Sequence, residues 1–220
     1  MTRAISRWHR WLGWVAAVPL LFWTVSGLVM VSRPIEEVRG EALRRPVPRL
    51  AARRVQVPQL PVGAVKSLTL EQQFDGPRWI VGHADGRMQR LDAESGAVLP
   101  SLTQAQAEAA ARSYFAGPGQ VVAARAFAAD AVPIDLRRPR PAWQVRFVDG
   151  TNVYVDRETG ALLAIRTRLW RVYDWMWGLH IMDLRGREDT HHPILILSSI
   201  AALGTVILGI ALLPTRKRRR

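Results

Sequence analysis

The side chains of this chain best suited to chemistry are its five histidines: His9, His83, His180, His191 and His192. A neutral imidazole can hold a metal or pass a proton near pH 7. Four of the five sit beside long apolar stretches. His9 precedes one, and His180, His191 and His192 precede another. Trp170, Tyr173, Trp175 and Trp177 could wall a site around His180, and Trp8, Trp11 and Trp14 lie beside His9. Plainer roles also fit. Tryptophans gather at membrane interfaces without any ligand, and His191-His192 can serve as a polar helix start before Pro193. His83 shares strand parity with Trp79 and Val81, so it reads as a packed or edge residue. Asp85, Asp92, Asp149 and Asp156 are explained by turn chemistry. Ser26-Gly27 lacks a nucleophile elbow, and neither H-E-x-x-H nor a glycine-rich phosphate loop occurs. With no cysteine, thiolate metal sites and disulfides are excluded. No catalytic residue and no metal cluster is assigned.

What positions these histidines is a pair of apolar spans. Trp11 to Ser32 and Pro193 to Thr215 carry no charge, and about 20 helical residues cross a bilayer core. The formal net charge of +13 is unevenly spread. All 18 acidic residues lie between the spans, whereas Arg3, Arg7, Arg10 and the tail Arg216 to Arg220 are purely basic. That is the positive-inside pattern, so both termini are expected in the cytoplasm and the middle outside, in the periplasm of a bacterial inner membrane. Nucleic-acid binding is set aside, because no recognition fold accompanies the charge. A cleaved signal peptide is the alternative for the first span, but its apolar run is long and no A-x-A follows. Pro19 is expected to kink the first helix. Gly13, Ala17, Ser26 and Gly27 on one span, and Ser198, Ala201, Ala202, Thr205 and Gly209 on the other, offer small surfaces for packing together or dimerising.

Between the spans, residues 34–62 are rich in proline and arginine and read as a short helix continuation and an extended linker. Then comes a duplication. Pro77 to Leu99 and Pro141 to Leu163 align without a gap at an offset of 64, with ten of 23 positions identical. Each copy predicts a strand (Trp79 to Ala84, Trp143 to Val148) and an Asp-Gly hairpin turn of type I′. A returning strand ends at Asp92 or Asp156, and a Glu-Ser/Thr-Gly turn leads to a third strand (Ala97 to Leu99, Ala161 to Arg166). Leu102 to Phe115 predicts a helix capped by Thr103, and Gln120 to Ala128 another strand. Leu169 to Leu184 reads as an interfacial amphipathic helix.

The order helix, strand, meander, with W-x-V, D-G and D-x-E-[ST]-G, resembles the PepSY domain. Arg7-Trp8-His9-Arg10-Trp11-Leu12-Gly13, Ser26-Gly27-Leu28, Trp177-Gly178-Leu179-His180 and His191-His192-Pro193 resemble the membrane segments of PepSY-associated transmembrane proteins. The fold class implied is α+β: a periplasmic helix/meander repeat domain flanked by two transmembrane helices. The expected organisation is a cytoplasmic start (1–10), span (11–32), linker (33–62), first meander (63–100), second PepSY-like unit (101–168), interfacial aromatic segment (169–191), second span (192–214) and basic tail (215–220).

The resemblance implies several functions. The first is a non-enzymatic binding or regulatory module acting on another membrane or periplasmic protein, or as a homodimer, from the lipid bilayer. The second is a small haem-binding component of ferric-siderophore reduction. The third is restraint of a peptidase. Relatives of the redox kind bind haem through membrane histidines, which makes His180, His191, His192 and His9 candidate ligands. Because about 30 Å of membrane separates His9 from the others, it could pair only with a second copy or another subunit. His180 could face His191 or His192 across the Asp183 to Thr190 loop.

Overall fold

A computed structural model describes residues 2–51, 54–60 and 65–216. In chain order the elements are α1 (Thr2–Val31), α2 (Ile35–Val38), a 3-10 turn (Glu41–Leu43), β1 (Val65–Gln73), β2 (Gly76–His83), β3 (Met88–Asp92), α3 (Gln104–Tyr114), β4 (Val121–Phe127), β5 (Ala142–Phe147), β6 (Asn152–Asp156), β7 (Leu162–Arg166), α4 (Arg168–His180) and α5 (Pro193–Arg216). The chain forms two units, residues 1–34 with 171–220, and residues 35–170. The architecture is α+β. Part of the basic tail, Lys217 to Arg220, lies outside the described residues.

In the first unit, α1 and α5 are both long and apolar enough to cross a membrane. Their outward faces expose Val15, Leu21, Leu28, Leu197, Ile200 and Leu203. In water such a surface would be costly; in hydrocarbon it is matched to its solvent. The two helices pack antiparallel. Leu12 lies against Gly204 and His9 against Gly209. Ala16, Ser26 and Ala202 are buried. Of the small residues noted in the sequence, Gly13 meets nothing within 4 Å and Ala17 is exposed, so the seam runs through other positions. α1 continues unbroken through Pro19.

The second unit holds two antiparallel sheets, β1-β2-β3 and β4-β5-β6-β7. The alanine face of α3 (Ala107, Ala110, Ala111) lets its backbone come close to the second sheet. Leu102 and Phe115 join Val145, Phe147, Val153, Val155 and Ile165 there in one core. Each buried Val, Ile or Phe contributes about 1.5–3 kcal/mol. The helix starts at a capping box in which Thr103 and Gln106 bond each other's backbone N–H. Part of the stretch read as linker is folded: Val38 is buried, Leu43 joins the core, and Arg45 donates its backbone N–H to the Tyr114 carbonyl.

Register is shared between the sheets. Trp79 pairs with Leu91 and Arg78 with Asp92; Trp143 pairs with Val155 and Ala142 with Asp156. Each pair is 64 residues beyond its counterpart. β1 shifts register between Val65 and Ser67, and β4 between Val121 and Ala123.

Two local expectations are corrected, and one strand is found that the sequence does not predict. The Asp-Gly turns are not type I′. The Gly86 N–H bonds the His83 carbonyl and the His83 N–H bonds the Arg87 carbonyl; Gly150, Phe147 and Thr151 repeat this. Only the glycines have positive φ, +87° and +82°. That is a three-residue connection with a bulge at the glycine. Its carboxylate faces inward along the chain, with Asp85 accepting from the Arg87 N–H and Asp149 from the Thr151 N–H. Second, Ala97 to Leu99 makes only an isolated bridge, Leu91 to Val98, whereas the second sheet has a full strand in β7. The unpredicted strand is β1, which the sequence pattern does not announce, since Lys66 to Thr69 are all exposed and break the alternation.

Candidate functional site

The histidine with the most developed surroundings is His180, the last residue of α4. Its Nδ1 lies 3.0 Å from the Ser26 hydroxyl on α1. The Trp23 indole N–H donates to the His180 carbonyl at 2.7 Å. Trp23, Ser26 and Gly27 sit at i, i+3 and i+4, hence on one helix face. Gly27 leaves room for the ring: a Cβ there would lie 3.7 Å from its Cε1.

The hydrogen bonding favours one tautomer. A serine hydroxyl has one proton, and the Ser26 hydroxyl gives it to the Phe22 carbonyl at 2.5 Å. Toward His180 the same oxygen must accept, so Nδ1 carries the imidazole proton. In the neutral ring Nε2 then keeps its lone pair, and it has no hydrogen-bond partner among the described residues. An N–H tied to oxygen on one side and a free lone pair on the other is the arrangement by which proteins orient ligating histidines.

His9 repeats this logic at the other end of the helix pair. Its Nδ1 lies 3.0 Å from the Thr205 carbonyl of α5. A carbonyl can only accept, so Nδ1 is again the donor, and in the neutral ring Nε2 again keeps its lone pair. Gly209 allows the approach, since a Cβ there would stand 3.1 Å from the ring's Cε1. From His9 to Ser26 the rise along α1 is about 25 Å, at about 1.5 Å per residue. The structure therefore does not bring His9 and His180 together.

His191 and His192 immediately precede α5, at the same end of the helix pair as His180. His191 is exposed, its Nδ1 3.4 Å from the Thr190 hydroxyl. The Nδ1 of His192 is enclosed without a hydrogen-bond partner. His83 belongs to the other unit, where it is 8 % exposed and its Nε2 meets Gln89 Oε1 at 2.8 Å. Among the described residues no three His, Asp or Glu side chains gather as a metal site.

The loop after His180 is organised by one carboxylate. Asp183 Oδ1 accepts from the backbone N–H groups of Arg185 and Gly186, and Oδ2 from those of Glu188 and Asp189. These bonds, the Glu188 one foremost, hold the Asp183 carboxyl down at about 2 against an ordinary 3.8. Arg187 ties the loop back to α4. It pairs with buried Asp174 at 2.6 Å, stacks 3.9 Å over Trp175, and its carbonyl accepts from the Trp177 indole N–H. Gly178 leaves the space that Arg187 fills.

Compared with known families, residues 6–220 match the one described as the PepSY-associated TM region. The chain belongs to this family. Searches of curated proteins and of solved structures each found no match. As a PepSY-associated transmembrane protein it has two apolar helices in contact with lipid. For this family member the sequence pointed to His180 and His9 but not to Trp23, Asp174, Asp183 or Arg187. The i, i+3, i+4 spacing of Trp23, Ser26 and Gly27 was the one available signal for a helix face with a polar partner.

Proposed function

We propose that this chain is a binding protein of the bacterial inner membrane, without catalytic residues of its own, whose membrane unit holds haem through single imidazoles. The observation that carries this reading is the Ser26–His180 pair, which leaves the Nε2 lone pair of His180 unpartnered beside an apolar helix. The donor set fits: haem takes neutral imidazole nitrogens as axial ligands. His180 would hold the haem, with His192 or His191, or a second copy of the chain, contributing a further imidazole. His9, about 25 Å away along α1, serves a separate site completed by another subunit. Bound haem supplies one-electron chemistry. The protein orients each imidazole through its Nδ1, and the Trp23 indole N–H holds the His180 carbonyl. The context implied by the family resemblance is reduction of ferric siderophores, with this chain as a haem-carrying component.

The outer unit is read as two copies of one PepSY-like module, supported by the 64-residue spacing of matching strand pairs. It lies in the periplasm and both termini in the cytoplasm, on the strength of the basic flanks. Its role is protein contact. β1 is an edge strand whose first half is exposed, a ready surface for an added strand. Restraint of a peptidase remains a second use of that edge.

The test is an absorption spectrum of the full chain purified in mild detergent from haem-replete cells. A Soret band that His180→Ala abolishes supports the reading. A colourless wild-type protein that also fails to bind added haemin sinks it and leaves protein contact as the function.

A further inference from the structure

The N-terminal third of α1 carries a second feature, independent of the histidines. Arg7, Arg10, Trp11 and Trp14 line a groove of about 410 Å³. Their spacing of i, i+3, i+4 and i+7 places them on one helix face. The opposite face packs on α5 through His9, Leu12 and Ala16. The groove therefore looks away from the helix pair. Trp11 is 68 % and Trp14 78 % exposed. Among the described residues neither Arg7 nor Arg10 has an ion pair.

We propose that this groove binds the headgroup phosphate of one anionic phospholipid. Charge complementarity argues for that occupant. The first acidic residue of the chain is Glu36, so no carboxylate near Arg7 or Arg10 in sequence competes for them. Guanidinium forks match the oxygens of a phosphodiester in two-point contacts. Trp11 and Trp14, one turn deeper, are amphipathic plates suited to the glycerol and upper acyl region. A facing protein would need to bring its own acids to this level of the bilayer, whereas anionic lipid is already there.

The test is native mass spectrometry of the full chain in neutral detergent, titrated with phosphatidylglycerol or phosphatidylcholine of identical acyl chains. A cation close to an anionic membrane surface is worth about fivefold in affinity. The wild type should prefer the first phosphatidylglycerol by about 25-fold, and R7Q/R10Q should erase that preference. R7Q alone should lose about fivefold and R3Q, outside the groove, clearly less. Equal losses in R3Q and R7Q would mean diffuse surface charge and overturn the site. So would unchanged preference in R7Q/R10Q, or displacement of the lipid by low-millimolar inorganic phosphate. Wild-type protein alone gives an independent reading. Its preference should fall steeply in 0.5 M NaCl, as a partly exposed ionic contact is screened, and a salt-independent preference contradicts the assignment.

Discussion

Ser26 and His180 are separated by 154 positions in the chain, yet the serine hydroxyl and the imidazole Nδ1 meet at 3.0 Å. The serine spends its only proton on its own helix, at the Phe22 carbonyl. With its proton placed there, the oxygen accepts toward His180, which favours an imidazole that donates from Nδ1. One backbone-tied hydroxyl orients the ring of a histidine far away in the chain.

Ser26→Ala should remove that control without creating a steric clash. The ring can then turn or change tautomer, and outer partners of ligating histidines are typically worth 10–100-fold in affinity. Haemin titration followed at the Soret band should show a loss in that range, with Ser26→Thr restoring most of it. Equal affinity for Ser26→Ala and wild type would mean the pair is structural only.

The Asp183 loop should respond to acid in a defined window. The folded carboxyl titrates near 2, below its ordinary 3.8. A depressed folded value contributes stability above the unfolded value, and that contribution is lost as pH falls from about 4 through about 2. The backbone amide resonances of Gly186 and Glu188 should move together with a midpoint near 2. A midpoint near 4 would show that the carboxylate is not held by those four N–H groups. At neutral pH, Asp183→Ala should open the loop to trypsin at Arg185 and Arg187.

How far the chain can be read from its sequence differs by feature. The spans are legible because a run of more than 20 uncharged, mostly apolar residues is long enough to cross a bilayer and too apolar for a water-facing helix. The strand pairs around Trp79 and Trp143 are legible because they occur twice. β1 is hidden because Lys66, Ser67, Leu68 and Thr69 are all exposed, so neither face shows a pattern. The turn type is misread because an Asp-Gly pair suits I′, while here the aspartate keeps negative φ and accepts a hydrogen bond from the residue after the glycine. His180 is visible as a histidine at a membrane mouth. Its partner is not, since Ser26 sits far away in the chain and serine is common in membrane helices.

The glycines of the second unit offer a graded test of packing. Gly86 and Gly160 both have positive φ, +87° and +74°. A Cβ at Gly86 would meet nothing within 4 Å, whereas one at Gly160 would stand 3.1 Å from Gln73 Oε1 and 3.3 Å from the buried Arg90. Gly86→Ala should cost about 1 kcal/mol of backbone strain. Gly160→Ala adds crowding where Gln73 donates to the Thr159 carbonyl and Tyr114 to the Gly160 carbonyl, for a loss of about 2–3 kcal/mol. Urea unfolding of the two variants should rank them in that order; equal losses would show that Gln73 and Arg90 give way freely.

His9 gives the sharpest test of the helix seam. Its ring reaches the Thr205 carbonyl across position 209, where a Cβ would lie 3.1 Å from the ring and leave no room for a larger side chain. Gly209→Ala demands a shift of a few tenths of an ångström, which a terminal imidazole can supply, so the bond to Thr205 should lengthen but survive. Gly209→Leu cannot be accommodated on the same face and should expel the ring from the seam. The imidazole 15N shifts of His9 report this directly. In the wild type they should show a protonated Nδ1 held in slow exchange by the Thr205 carbonyl. In Gly209→Leu they should show the averaged pair of a freely exchanging ring, and an unchanged spectrum there would contradict the packing. Because His180 is held by α1 and not by α5, its own 15N signature should stay as in the wild type, which separates loss of the His9 lock from collapse of the helix pair.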